Sequence, residues 1–230
     1  MNVLADGDIA VKGRMPWSSN GTFLAEVCAG DEATLAVYKP HRGERPLWDF
    51  PDGLYKREVA SYVLSEALGW GIVPETVLRD DGPLGVGSLQ RFIPADFEQH
   101  YFTLYEDETC RWHGALQQIC VFDLLSNQTD RKSGHCLLGE DGRIYAVDNG
   151  LSFHAEFKLR TVIWEFGGER IPAPLLDDVA RFIDDGIPVE LSALLGPLER
   201  DALTTRARAV LSDGVFPIDG SGRRYPWPLV

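Results

Sequence analysis

Polar ends around an apolar run make Asp8 to Lys12 read as the start of a strand, and Thr22 to Val27 alternates like the returning one, the pattern of half-buried strands. The turn-rich stretch Gly13–Gly21 between them predicts a hairpin. A further run, Ala33–Pro40, predicts a strand that carries Lys39 at its end and is stopped by Pro40. From Leu54 to Leu68 the period changes. Val59, Val63 and Ala67 fall on one stripe and Tyr55, Tyr62 and Leu68 on another, which predicts an amphipathic helix closed by Gly69. Ile72–Arg79 and Gly85–Pro94 read as strands, the second leading into a connection near Phe92. Beyond it the pattern is helical. Leu116, Ile119, Cys120 and Leu124 make a stripe within Trp112–Leu125, where Asp123 reads as a polar or capping position. Pro172–Gly186 and Pro188–Gly214 predict two or three helices, with stripes through Leu175, Leu176, Val179, Phe182 and Ile183 and through Leu191, Leu194, Leu195 and Leu198. Phe216–Val230, rich in proline, glycine and aromatics, predicts a tail that is laid on the body or disordered.

The chain is organised around Val121–His154. There an apolar helical run ends in Asn127-Gln128-Thr129-Asp130-Arg131, and a short apolar segment follows His135. After the turn Gly139–Gly142, the strand Ile144–Val147 delivers Asp148-Asn149-Gly150. Phosphoryl transfer needs a carboxylate to orient or deprotonate the acceptor and metal ions to neutralise the phosphates. Asp130 can be the first carboxylate, with His135 five positions on and Asp148 as the metal-binding one. A hairpin between them would fold the chain back and bring Asp130 and Asp148 to one cleft. Either triplet alone is an ordinary turn sequence; in this order, with a strand before Asp148, the pair is far more specific.

These two segments, Asn127–Arg131 and Ala146–Phe153, resemble the catalytic and metal-binding segments of type II phosphatidylinositol 4-kinases and, above all, of their bacterial phosphatidylinositol 3-/4-kinase-like relatives in actinobacteria. The resemblance implies an α+β, two-lobed protein-kinase-like fold, with a strand-rich lobe over residues 1–92 and a mainly helical lobe over residues 93–230. It also implies ATP as phosphate donor. Lys39 then corresponds to the kinase lysine that holds nucleotide phosphates, positioned by Glu58 in an Arg-Glu-Val-Ala run; Glu66 is the rival, close to the helix end. The loop residues Ser18, Ser19, Asn20 and Gly21 would contact phosphate, although this is not a Gly-x-Gly-x-x-Gly loop. Adenine would meet the backbone of Gln90, Arg91, Phe92 and Ile93. Asp130 would serve the acceptor, Asp148 and His135 would hold the metal, and Arg131 would pair with a carboxylate or phosphate. The imidazole of His135 stands where such kinases place Asn, and nitrogen favours manganese over magnesium.

Composition bounds the acceptor. With 230 residues and 44% hydrophobic content there is room for one domain of two lobes, or for one large single core, and no further modules. Acidic residues outnumber basic ones 35 to 22, a net charge of -13 that disfavours nucleic acid and anionic membranes as partners. The dense basic runs are Lys56-Arg57 and Arg223-Arg224, and the cysteine-rich anchoring segment of the eukaryotic lipid kinases is missing. The acceptor hydroxyl is therefore left open among protein, small molecule and phosphoinositide. Cys28, Cys110, Cys120 and Cys136 show no zinc-site spacing and read as buried thiols. No leader-like or membrane-spanning run is visible, so a soluble, cytoplasmic monomer is expected. The turn-rich connection His41–Gly53 would shape the acceptor pocket or cap the apolar lobe. A second reading, a nucleotide- and metal-binding pseudokinase acting as a regulatory module, follows from the altered glycine loop and His135.

Overall fold

The structure, a computed structural model, describes residues 2–16, 18 and 20–229. Its first part is an antiparallel sheet of β1 (Asp8–Arg14), β2 (Phe23–Ala29), β3 (Glu32–Pro40), β4 (Thr76–Arg79) and β5 (Gly87–Arg91), in the order β1-β2-β3-β5-β4. The β2–β3 pair runs without a break from Phe23 opposite Tyr38 to Ala29 opposite Glu32. Alternation puts Ala25, Val27, Ala36, Tyr38 and Leu89 on one buried face, where Leu4 of α1 (Val3–Asp6) covers them.

The strand expected over Ile72–Arg79 begins only at Thr76. Ile72 and Val73 are buried in the other core, and their N–H groups donate to Ser65 Oγ at 2.9 and 3.3 Å. The Ile72 carbonyl accepts from Ala146 at 2.8 Å, so these residues tie two elements together instead of extending the sheet.

The remainder is mainly helical: α2 (Leu54–Ala67) lies between the sheet and α3 (Tyr101–Tyr105), α4 (His113–Ser126), α5 (Ala173–Asp185), α6 (Val189–Leu194) and α7 (Pro197–Asp213). Two short strands, β6 (Cys136–Leu138) and β7 (Ile144–Ala146), form the hairpin that follows the Asp130 segment, with Cys136 opposite Ala146. A larger core joins Leu116, Ile119, Phe122, Phe153, Phe166 and Phe182. The result is the two-lobed α+β arrangement expected from the sequence.

Helix α2 differs from its expected amphipathic form. Arg57, Glu58, Ser61 and Ser65 are buried alongside Val59, Ala60 and Leu64, while Val63 and Ala67 are only half-buried. The helix is enclosed on several sides, and its polar residues have internal partners. Arg57 Nε donates to the Ser152 carbonyl at 2.9 Å, and its guanidinium pairs with Glu199 at the start of α7. Ala60, Leu64 and Leu68 belong to the larger core, which fixes α2 against the helical part.

The cysteines also depart from expectation. All four are free; Cys120 and Cys136 are buried, but Cys28 and Cys110 are exposed. The tail is laid on the body: Phe216 is buried, and the carbonyls of Arg224 and Leu229 accept from Thr161 (3.0 Å) and Ser133 (2.8 Å). No helix of the described residues is long and apolar enough to cross a membrane.

Candidate active site

Helix α4 stops because Asn127 turns left-handed at φ 54°, a conformation Asn tolerates better than most residues. Its side chain then organises the facing segment, donating to the carbonyls of His154 (2.9 Å) and Glu156 (2.7 Å) and accepting from Lys158 N–H (2.9 Å). Gln128 Oε1 accepts from the N–H groups of Thr129 and Asp130, at 2.9 and 3.2 Å, which shapes the turn presenting Asp130.

Asp123 is neither a cap nor a surface polar group. It is fully buried on α4 and accepts from Arg131 Nε and Nη2, the latter at 2.8 Å, while Thr161 Oγ1 donates to it at 3.3 Å. Arg131, itself fully buried, also donates to the Val147 carbonyl (2.6 Å) and to Asn149 Oδ1 (2.7 Å). The partner foreseen for Arg131 is thus an internal carboxylate. One guanidinium fork links α4, the Asp130 loop and the Asp148 turn.

Asp148, at the end of the β6–β7 hairpin, is held at φ 57°. Its Oδ1 accepts from Lys39 Nζ at 2.7 Å, and Lys39 also pairs with Glu58. Glu58 Oε2 accepts the Asn149 N–H at 3.0 Å, so one carboxylate positions both the lysine and the Asp148 turn. A Cβ at Gly150 would lie 3.1 Å from Glu58 Oε1, which favours glycine there. Burial alone would lower the Lys39 pKa; Asp148 and Glu58 reverse this and raise it. The Lys39 ammonium in turn holds Asp148 well below the usual carboxylate range, against the opposing effect of burial. About 55% of the Asp148 side chain is accessible, but that face looks into the cleft. Glu66, the rival to Glu58, is exposed two turns further along α2.

Asp130 lines the same cleft. Burial pushes its carboxyl up to about 6, with Lys132, whose Nζ is 3.4 Å away, pulling it down and the Asp148 charge pushing it up. Its ordinary value is 3.8, so it is an unusually basic carboxylate.

His135 Nε2 lies 3.4 Å from Asp148 Oδ2. Two ligands of one ion at about 2.0–2.1 Å stand roughly 3.3 Å apart, so the spacing suits a shared cation. Burial lowers the His135 pKa to about 4, which keeps the ring neutral near pH 7, as ligation requires. The ring's other nitrogen, Nδ1, accepts from Lys132 N–H at 3.3 Å, which leaves the proton on Nε2. Asp148 therefore fits a cation as it stands, whereas His135 fits one after exchanging its tautomer and releasing Lys132.

The cleft has a volume of about 810 Å³. The loop before β2 closes one side: Ser18 lines it and bonds Thr22 Oγ1 at 2.8 Å, while Asn20 Oδ1 accepts from Arg45 N–H at 3.1 Å. Gly21 crosses Gly43 so closely that a Cβ would meet the Gly43 Cα at 2.9 Å. Ser19 lies outside the described residues. Gln90, Arg91, Phe92 and Ile93 line the opposite end, but two side chains are otherwise engaged: Gln90 Nε2 donates to Thr76 (2.8 Å) and Arg91 pairs with Glu75 (2.6 Å). The N–H groups of Arg91 and Phe92 donate to the Glu75 and Leu35 carbonyls. Sequence reasoning missed the apolar lining, Met15, Val37, Phe97, Leu137 and Val147, and it missed Pro228, the tail residue at the cleft. Strand and loop positions of this kind carry no motif.

No protein-family model matches the chain. A protein of Mycobacterium tuberculosis, Rv2133c, is 41% identical over 261 aligned positions, which span 98% of this chain and 94% of that protein. The chain belongs to the Rv2133c family. Among solved structures, the Helicobacter pylori proinflammatory kinase CtkA is similar with a TM-score of 0.53 at 12% identity, covering 93% of this chain and 94% of its own. A Golgi casein kinase with Mn and ADP bound reaches 0.59 at 16% identity, over 99% and 78% of the two chains. The hydra Fam20 structure with sugar gives 0.58 at 13% identity, over 93% and 86%. At such identities the likeness establishes the fold, which is protein-kinase-like.

Proposed function

We propose that the protein is an ATP-dependent phosphotransferase of the phosphatidylinositol 3-/4-kinase-like type, acting on a hydroxyl of a protein, a small molecule or a phosphoinositide. The observation that carries this reading is Lys39 bridging Glu58 and Asp148 at the floor of a cleft that also holds Asp130, within a kinase-like fold. Lys39 would bind the nucleotide phosphates in exchange for part of its contact with Asp148. Asp130 would take the proton of the acceptor hydroxyl as its oxygen bonds the γ-phosphorus and the bond to the β-phosphate breaks, releasing ADP. A carboxylate with a pKa of about 6 is well matched to that task near neutral pH. Asp148 and His135 would hold a divalent cation, which when bound neutralises phosphate charge. Manganese is the preferred ion on the nitrogen donor, and the Golgi casein kinase structure, similar in fold, contains Mn with ADP. A cytoplasmic location is part of this reading, since the four cysteines are free and the proposed donor is ATP.

The proton that His135 presents toward Asp148 favours a second reading, a pseudokinase that binds nucleotide without transfer. ADP formation from ATP separates the two. On the enzyme reading, Asp130→Asn lowers turnover by roughly 10²- to 10⁴-fold while nucleotide binding persists. Binding with no turnover in the unmodified protein would overturn it.

A further inference from the structure

The segment after Asp148 uses its backbone internally. The Leu151 carbonyl accepts from Thr129, those of His154 and Glu156 from Asn127, and Arg160 exchanges bonds with Gln128 (2.9 Å) and Arg131 (3.1 Å). Thr161 N–H goes to the tail, at the Arg224 carbonyl. A polypeptide acceptor laid along this segment as an added strand would need these same groups. Its outer face is held at both ends, although Glu156, Phe157 and Arg160 between them are exposed. At one end Asp49 pairs with Lys158 at 3.0 Å and Phe50 meets His154 edge-on at 5.2 Å. At the other end Arg224 lies over Phe157 at 5.3 Å, and Leu229 is fixed to Ser133 inside the Asp130–His135 loop. Beside Asp130 the cleft itself stays open, bounded by Leu54, Tyr55, Lys132 and Pro228.

We infer that residues Arg224–Leu229 form a fixed wall of the acceptor site, that Pro228 limits what enters it, and that the acceptor is a small hydroxyl compound, free or displayed as a lipid headgroup, and not a polypeptide. This rests on the phosphotransferase reading. A wall tied by backbone bonds at both ends, Leu229 to Ser133 of the catalytic loop and Arg224 to Thr161, selects by size, because it has no side-chain hinge through which to retreat.

The test measures transfer from labelled ATP to free glycerol and myo-inositol, to vesicles containing phosphatidylinositol, and to dephosphorylated casein. The unmodified chain is expected to label a free polyol or the vesicles and to leave casein unlabelled; the first two arms distinguish the free compound from the headgroup. Deleting 224–230 is expected to raise casein labelling about tenfold or more. Should that variant fail to fold, Pro228→Trp is expected to raise the KM of the accepted hydroxyl compound about tenfold with the KM of ATP unchanged. Casein labelled as fast as the small compounds by the unmodified chain, or a Pro228→Trp variant with unaltered acceptor KM, overturns the wall and leaves the phosphotransferase standing. No ATP consumption at all overturns both.

Discussion

Asp130→Asn is expected to stabilise the fold while it slows transfer. The folded carboxyl has a pKa of about 6 against an ordinary value of 3.8, so at neutral pH the protein holds an unfavourable charge. A difference of about two, at 1.36 kcal/mol each, corresponds to roughly 3 kcal/mol. The side chain is 28% accessible and the variant also gives up the Lys132 contact at 3.4 Å, which reduce the expected gain to about 1–2 kcal/mol. For a chain of this size that is roughly 2–8 °C in Tm. The folded pKa lies above the unfolded one, so the penalty is complete above pH 6, shrinks as pH falls toward 4 and vanishes below. Thermal unfolding of both proteins at pH 7.5 and at pH 4 measures this without any nucleotide. A variant less stable than the parent at pH 7.5, or a gain of equal size at both pH values, would refute the assignment of Asp130 as a strained, basic carboxylate.

The buried pair gives the opposite result: Asp123→Ala strands Arg131 without its partner and is expected to cost about 3–5 kcal/mol, read as a lower urea midpoint. Glu58→Gln should lower kcat/KM by roughly 10²- to 10³-fold with little loss of stability, because both Lys39 and the Asp148 turn lose their anchor; a change below tenfold in steady-state kinetics would contradict this. His135→Asn should move the metal preference from manganese toward magnesium, measured as the ratio of turnover with the two ions. Equal use of both ions by the unmodified protein would count against His135 as a ligand.

The sheet and the long helices were legible because alternation and 3.6-residue stripes report burial against one surface. Helix α2 shows where that logic stops. It is enclosed on several sides, so its interior positions include Arg57, Glu58 and two serines, and hydrophobicity no longer marks the inside. The same holds for Asp123, an acidic residue within an apolar stripe that is buried because Arg131 is its partner eight positions on. Ile72 and Val73 read as strand from their β-branched composition, yet Ser65 takes their N–H groups. Lys39, Glu58, Asp130, His135 and Asp148 were found through ordered motifs, and the structure brings them to one cleft. Pro228 lies at that cleft only because the tail folds back across the catalytic loop, a contact between residues about a hundred positions apart that no local pattern encodes.

The central claim is tested most directly by thermal unfolding of the purified protein with ATP and manganese, with ATP and magnesium, and with ATP alone, alongside Asp148→Ala. A ligand at 100 times its dissociation constant stabilises the folded state by about 2.7 kcal/mol, roughly 5–11 °C here. The account predicts a metal-dependent rise of that order in the unmodified protein, larger with manganese, and none in Asp148→Ala. No rise under any condition would contradict it.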